Sequence, residues 1–197
     1  MIKQSELTKN ATELLKRLIE TPSFSSEEDK TAKLIEGWFI NYKIPFKRTK
    51  HNVWAVNKHF TEGKPTILLN SHHDTVKPNN GYTKDPFKAL VEDGKLYGLG
   101  SNDAGGCLVS LIAAFTHFYA KKNLEYNLVI VASAEEESSG SNGLNSMLDI
   151  IPKIDVAIVG EPTLMNLAVA EKGLVVFDAL VKGTPSHAAH PNNDNAI

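Results

Sequence analysis

With one cysteine, Cys107, the chain cannot close an intrachain disulfide, which agrees with a reducing compartment. That thiol sits in the apolar run Cys107-Leu108-Val109-Ser110-Leu111-Ile112 and reads as a buried structural residue, not a nucleophile. No apolar run approaches the roughly 18 residues of a spanning helix. The opening Met1-Ile2-Lys3-Gln4-Ser5-Glu6 lacks the apolar stretch of a signal peptide, so a cytoplasmic protein with no membrane partner is expected. Excess charge of one sign is missing too: 21 Lys and Arg stand against 23 Asp and Glu, a formal charge of -2. Without a basic field, nucleic acid is not an expected partner, and a small or neutral ligand fits better. What remains is 197 residues at 42% hydrophobic, enough for one sizeable core and part of a second unit.

Leu7, Ala11, Leu14, Leu15, Leu18 and Ile19 recur at helical spacing and predict a first amphipathic helix closed by Pro22. Ser25-Ser26-Glu27-Glu28-Asp29 offers a capping-box start to a second, whose stripe is Ala32, Ile35, Trp38 and Phe39. Short strands follow at Phe46 to Arg48 and Val53 to Val56, around a turn at His51-Asn52, with His51 and His59 expected at the surface. Thr66 to Asn70 reads as a buried strand, Asp93-Gly94 as a hairpin turn, and Ala104 to Lys121 as a helix apolar on most sides, carrying a structural His117. Asn127 to Ala132 and Asp155 to Val159 predict inner strands, with a helix over Ser141 to Ile151 between them. Strands alternating with helices give an α/β layered fold around a mixed, mainly parallel sheet.

Chemistry-bearing residues sit at the ends of these strands. Side chains alternate along an extended segment, so in Ser71-His72-His73-Asp74 the residues His72 and Asp74 share one face and His73 takes the other. That pair suits a metal ligand and its supporting carboxylate, though a His-x-Asp also fits a solvated strand end. Gly98-Leu99-Gly100-Ser101-Asn102-Asp103 tempts a dinucleotide reading, which Asp103 opposes by standing where the third glycine belongs. Asp103 is instead a ligand candidate. Glu135-Glu136-Glu137 follows a buried strand, where adjacent carboxylates raise one another's pKa, and Glu161 follows another strand. His72, Glu136/Glu137 and Glu161 thus all fall just past carboxyl ends of inner strands, the edge where open α/β sheets bind ligands. One imidazole with several carboxylates suits zinc first, with cobalt or manganese as alternatives.

These four motifs, in this order, resemble those of the metal-dependent amidohydrolases of the M20 peptidase family, which include acetylornithine deacetylase, succinyl-diaminopimelate desuccinylase, aminoacylase and glutamate carboxypeptidase. The resemblance implies a three-layer zinc-peptidase-like domain over residues 1–172 and the beginning of a smaller lid and dimerisation domain over 173–197. It implies two divalent ions: His72, Asp103 and Glu161 on one, with Asp103 bridging to a second held by Glu137. Glu136 would be the general base and Asp74 the residue behind His72. The pair could also be Glu135/Glu136, but Ser133-Ala134-Glu135 matches the family's Ser-Ala-Asp, which favours Glu136/Glu137. Departures are Leu99 for a common arginine and Ala104-Gly105 for Met-Lys, and the family has a cis peptide after the aspartate at position 103. Gly183 to Pro191 resembles the entry to the lid, where His187 would steady the tetrahedral intermediate in a neighbouring subunit of a homodimer. The implied activity is hydrolysis of the amide of an N-acyl amino acid; the alternatives are a dipeptidase or carboxypeptidase of the same family, or a non-catalytic metal-binding module. Family members continue past a segment like Asn195-Ala196-Ile197 and supply a last histidine ligand there, so an N-terminal portion with a weakened second ion is expected.

Overall fold

The computed structural model describes residues 3–170 and, beyond them, 172, 173, 175, 177, 179–184, 187 and 189. The chain divides into two compact units, Met1–Leu164 and Met165–Ile197. The first unit contains helices α1 (Gln4–Ile19), α2 (Asp29–Asn41) and α3 (Cys107–Phe118) and strands β1 (Lys47–Thr49), β2 (Asn52–Val56), β3 (Thr66–His72), β4 (Leu90–Glu92), β5 (Lys95–Tyr97), β6 (Asn127–Ser133) and β7 (Val156–Val159).

Five strands form one sheet in the order β1-β2-β6-β3-β7. Strand β2 runs against both its neighbours, whereas β6, β3 and β7 pair in parallel, so the sheet is mixed and mainly parallel as the alternating pattern predicts. Every residue of β6 is buried, and its alternation divides between two cores. Leu128, Ile130 and Ala132 face the helices, where they meet Leu108, Ile112, Phe115, Phe39 and Ile35. Val129 and Val131 face the opposite side with Trp54, Leu68, Met147 and Ile151.

Helices α1 and α2 bury the apolar stripes that their spacing predicts, Leu7, Ala11, Leu14, Leu18 and Ile19 on the first and Ala32, Ile35, Trp38 and Phe39 on the second. Trp38 Nε1 donates to Thr116 Oγ1 across the helical layer at 2.9 Å, and both residues are buried. Thr116→Val should therefore leave a buried N–H without its acceptor and cost about 1–3 kcal/mol. Urea unfolding at unchanged slope measures this; a loss under about 0.5 kcal/mol would mean that the indole reaches another partner.

Several elements depart from the sequence pattern. The predicted capping box at α2 is not made: the helix starts at Asp29 with no side-chain cap, and Ser25 and Glu28 bond elsewhere. The helix predicted over Ser141 to Ile151 shrinks to a 3-10 turn at Leu144–Met147. Asn142 gives both its backbone and side-chain N–H to the Glu135 carboxylate, and Gly143 is extended, so helical hydrogen bonding cannot begin earlier. Helix α3 begins at Cys107 rather than Ala104, after a tight turn in which Asp103 and Ala104 leave helical geometry. Ser110, Ala114 and His117 on it are exposed, so α3 is buried on one side only and His117 lies at the surface with its ring edge-on to Phe118. Among the described residues strand β7 stands at the sheet's edge instead of inside it, with Val156, Ile158 and Val159 about half exposed. The Asp93-Gly94 hairpin forms with both residues at positive φ, the type I′ conformation that joins β4 to β5.

Apolar residues alternate from Leu174 to Val181 as in a strand, but residues 174, 176 and 178 lie outside the described residues, and no strand is assigned to those described between them. Among the described residues, no helix is long and apolar enough to cross a membrane.

Candidate metal centre

The parallel strands β6, β3 and β7 end side by side, because His72 pairs with Ser133 and Asn70 with Val159. Chain leaving those ends carries Glu136 and Glu137, Asp74, and Glu161 respectively. Gly160 is locked beside β3 by its N–H to Asn70 O (2.8 Å) and by Ser71 Oγ donating to its carbonyl (2.8 Å). A Cβ at Gly160 would lie 2.9 Å from Leu111 Cδ1 and 3.0 Å from Cys107 Cβ, so a side chain there would press on α3. Asp103 arrives from the other direction, on the turn after β5 that starts with Gly100 in the left-handed region (φ 74°). A Cβ at Gly100 would stand 2.7 Å from Thr75 Cγ2, so glycine is required there on both counts. The Asp103–Ala104 peptide is cis, as the resemblance implies.

His72 is the hub. Its Nε2 lies 3.1 Å from Asp103 Oδ1, 3.7 Å from Glu136 Oε2 and 3.8 Å from Glu161 Oε1. Ligand atoms of His72, Asp103 and Glu137 all fall within 4.8 Å of one another. The imidazole is buried while Asp103 and Glu136 are open to solvent, so the cluster sits at the floor of an accessible cleft. A cleft of about 370 Å³ lies alongside, lined by Thr75, Tyr82, Leu99 and Asn102 and bordered by Asp103 and Glu137 of the cluster. Larger grooves of about 660 and 680 Å³ along α1 and α3 hold no such cluster.

Opposed effects set the charges. Burial alone would lower the His72 imidazole, but hydrogen bonding and charge from Asp74, with Glu161 and Glu136 adding to them, hold it at about 9. Burial raises Glu161 to about 7 against the attraction of His72, and the charges of Asp103, Glu136 and Glu137 add to the rise. Burial likewise raises Glu137, joined by Asp103 and Glu136. Among the described residues no Lys or Arg pairs with these carboxylates. Such a cluster of mutually repelling acceptors around one imidazole has the chemistry of a cation site, and its nitrogen-and-oxygen donor set fits a divalent transition ion.

Asp74 is fully buried behind the ring. Its Oδ1 lies 3.3 Å from His72 Nδ1, whose nearer contact is the Asp74 carbonyl at 3.0 Å. The same carboxylate accepts Glu136 N–H on Oδ1 and Glu137 N–H on Oδ2, each at 3.1 Å, and Ser25 Oγ donates to Oδ2 at 2.7 Å. Burial opposes ionisation, yet these bonds from His72, Ser25 and the Glu136 N–H hold Asp74 below the usual carboxylate range. Glu135 takes no part in the cluster. It sits at positive φ, and its carboxylate turns to Asn142, whose hydrogen bonds hold it below its ordinary value. His187 belongs to the second unit, where it is exposed and its Nδ1 accepts the Ala189 N–H at 3.1 Å. Cys107 is half-buried rather than buried, and burial followed by the charges of Glu161 and Asp103 raises its thiol, which keeps it unreactive.

His73 faces away from His72, as strand alternation predicts, and enters a network with no local signature in sequence. Its Nε2 donates to the His51 carbonyl (3.1 Å), leaving Nδ1 as acceptor for Thr31 Oγ1 (2.9 Å). His51, expected at the surface, instead brings Nδ1 to 2.6 Å from Glu28 Oε2, and Glu28 is fully buried. Burial lowers His73 to about 4, so it is neutral in the folded chain. Its stabilising contribution is complete above pH 6.5, where both states are neutral, and is lost as pH falls towards 4 and only the unfolded chain takes up the proton. Relative to His73→Gln, the wild type should lose on the order of 3 kcal/mol across that window. Parallel denaturation curves at pH 7 and 4.5 test this; a constant difference would count against it.

The sequence profile of Peptidase family M20/M25/M40 matches residues 68–194, which include all four motifs. Acetylornithine deacetylase of Salmonella typhimurium is 32% identical over 194 residues, covering 91% of this chain and 50% of that protein, so the chain spans about half the length of the curated relatives it matches. Among solved structures, an M20 family metallo-carboxypeptidase from Sulfolobus solfataricus superposes with a TM-score of 0.62 at 24% identity, over 81% of this chain and 37% of that one. A dinuclear metal binding peptidase of the M20 family from Bacillus subtilis gives 0.60 at 19%, over 80% and 43%. The fold is theirs, and with the profile spanning the motifs at the sheet edge, the chain belongs to peptidase family M20/M25/M40.

Proposed function

We propose that the protein hydrolyses the amide bond of an N-acyl amino acid, as an acetylornithine deacetylase does, with one divalent ion on His72, Asp103 and Glu161 and a second shared through Asp103 with Glu137. The observation that carries this is the buried imidazole ringed by acceptors without a paired cation among the described residues. Zinc suits the donors best, and cobalt and manganese accept the same set. Bound ions would supply Lewis acidity toward a carbonyl oxygen and toward water.

The chain's own residues divide the remaining work. Asp74 keeps the His72 ring oriented, with Nε2 turned to the cleft. Glu136, exposed and 3.7 Å from that nitrogen, takes a proton from water on its carboxylate and returns it to the leaving amine. His187 would donate to the oxyanion from a neighbouring subunit of a homodimer, with residues 1–172 as catalytic portion and 173–197 as start of a lid. A formal charge of -2 supports a small-molecule substrate over nucleic acid or a membrane surface.

The test is a panel of N-acetyl and N-succinyl amino acids and dipeptides offered to the complete gene product with added Zn²⁺ or Co²⁺. Release of acyl group from N-acyl amino acids is expected. Turnover confined to dipeptides would reassign the protein as a peptidase, and silence across the panel would favour a non-catalytic metal-binding role.

A further inference from the structure

The segment that leaves β6 is held in an unusual way. Four successive backbone N–H groups, at Ala134, Glu135, Glu136 and Glu137, each donate to a side-chain oxygen: Asn52 Oδ1 at 3.0 Å, Glu28 Oε1 at 3.0 Å, and Asp74 Oδ1 and Oδ2 at 3.1 Å each. The three acceptors come from the start of β2, the start of α2 and the end of β3, and each of those side chains is fully buried. Asp74 serves the cluster directly through His72, but Glu28 touches none of it. Its Oε1 also accepts the Ser26 N–H (2.8 Å), and its Oε2 meets His51 Nδ1 at 2.6 Å. His51 is in turn tied to the back of the site, since its carbonyl receives His73 Nε2.

The bond from Glu28 falls at the residue where the backbone changes direction. Glu135 has φ 53°, a left-handed conformation that a non-glycine residue keeps only where its surroundings over-determine it. Its carboxylate turns to Asn142, and a Cβ at position 140 would collide with its Oε2, so Gly140 makes room for that turn. The next two residues then direct their carboxylates toward the imidazole.

We infer that Glu28, braced by His51, is a positioning residue for Glu136 and Glu137: by accepting the Glu135 N–H it fixes the left-handed turn that aims both carboxylates at His72. In its consequence for chemistry this rests on the metal-hydrolase reading above; in its consequence for the loop it does not. Glu28→Ala removes the acceptor. Glu28→Gln keeps a carbonyl oxygen for the Ser26 and Glu135 N–H groups and offers an amide N–H to His51, so it should rescue.

Two readouts on the chain separate positioning from general stability. In amide hydrogen exchange of the metal-free chain, Glu28→Ala should speed Glu135, Glu136 and Glu137 at least tenfold while Leu69 and Val129 stay within twofold, and Glu28→Gln should match wild type. In a Co²⁺ titration, Glu28→Ala should weaken binding at least tenfold and alter the visible spectrum of the bound ion, again with rescue by Glu28→Gln. Wild-type exchange and wild-type Co²⁺ binding in Glu28→Ala would overturn the inference, as would equal acceleration throughout the sheet or failure of Glu28→Gln to rescue. Should Glu28→Ala not fold, Glu28→Asp, which withdraws the acceptor by one methylene, carries the same test in both readouts. If wild type takes up no Co²⁺ but the exchange pattern appears, the loop role stands and the metal assignment falls.

Discussion

Asp74→Ala is expected to cost about 3–5 kcal/mol of stability and to weaken metal binding by roughly 10- to 100-fold. No other side chain near the cluster meets so many donors. Removing it leaves the Glu136 and Glu137 N–H groups and the Ser25 hydroxyl without their acceptor, and takes the carboxylate from behind His72. Full burial means that water does not replace those bonds without repacking. Asp74→Asn should recover little, because both carboxylate oxygens accept a backbone N–H and either orientation of the amide sets NH₂ against a donor. Chemical denaturation and metal titration of both variants measure this; an asparagine variant as stable as wild type would mean that the two amide bonds contribute far less than their geometry implies.

Glu136→Gln is expected to do the reverse, sparing the fold and the metal but removing catalysis. Its side chain is 53% exposed, so stability should stay within about 0.5 kcal/mol. A glutamine cannot take up a proton at that carbonyl, and loss of a positioned general base lowers turnover by about 10²- to 10⁴-fold. Metal content of the variant should equal that of wild type. Hydrolysis persisting in the complete gene product would remove Glu136 as the base and turn attention to the neighbouring carboxylates of Glu137 and Glu161.

Local periodicity exposed the helical layer and the central strand, since Ala32, Ile35, Trp38 and Phe39 and the doubly buried β6 carry their burial in their spacing. It exposed the cluster as well, because strand ends are where α/β sheets gather ligands and the acidic motifs follow strands directly. Edge and inner strands are harder to tell apart: Val156 to Val159 is as β-branched as an inner strand, yet among the described residues it has a partner on one side only. Apolar spacing from Leu144 to Ile151 does bury Met147 and Ile151, but glycines at 140 and 143 and the Asn142–Glu135 bonds keep the segment from becoming a helix.

The anchoring network was hidden for a different reason. Ser25 reaches Asp74 across 49 residues, Glu28 reaches Glu135 across 107 and Asn52 reaches Ala134 across 82, and hydrogen bonds over such separations leave no mark on neighbouring positions. The Ser25-to-Asp29 run has the composition of a helix cap because short polar side chains bond nearby amides readily. Here tertiary partners outcompete that local use: the bridge pairing Phe24 with Thr75 holds this segment beside the chain leaving β3, where the Ser25 hydroxyl reaches Asp74, and the buried Glu28 finds the Glu135 N–H and His51.

The most direct test of the account is zinc content after equilibrium dialysis, comparing the chain with its His72→Ala variant. His72 Nε2 lies within 3.8 Å of Asp103, Glu136 and Glu161, so the account predicts that the wild type retains zinc and the variant loses it while remaining folded. Equal zinc in both, or none in the wild type, would contradict it.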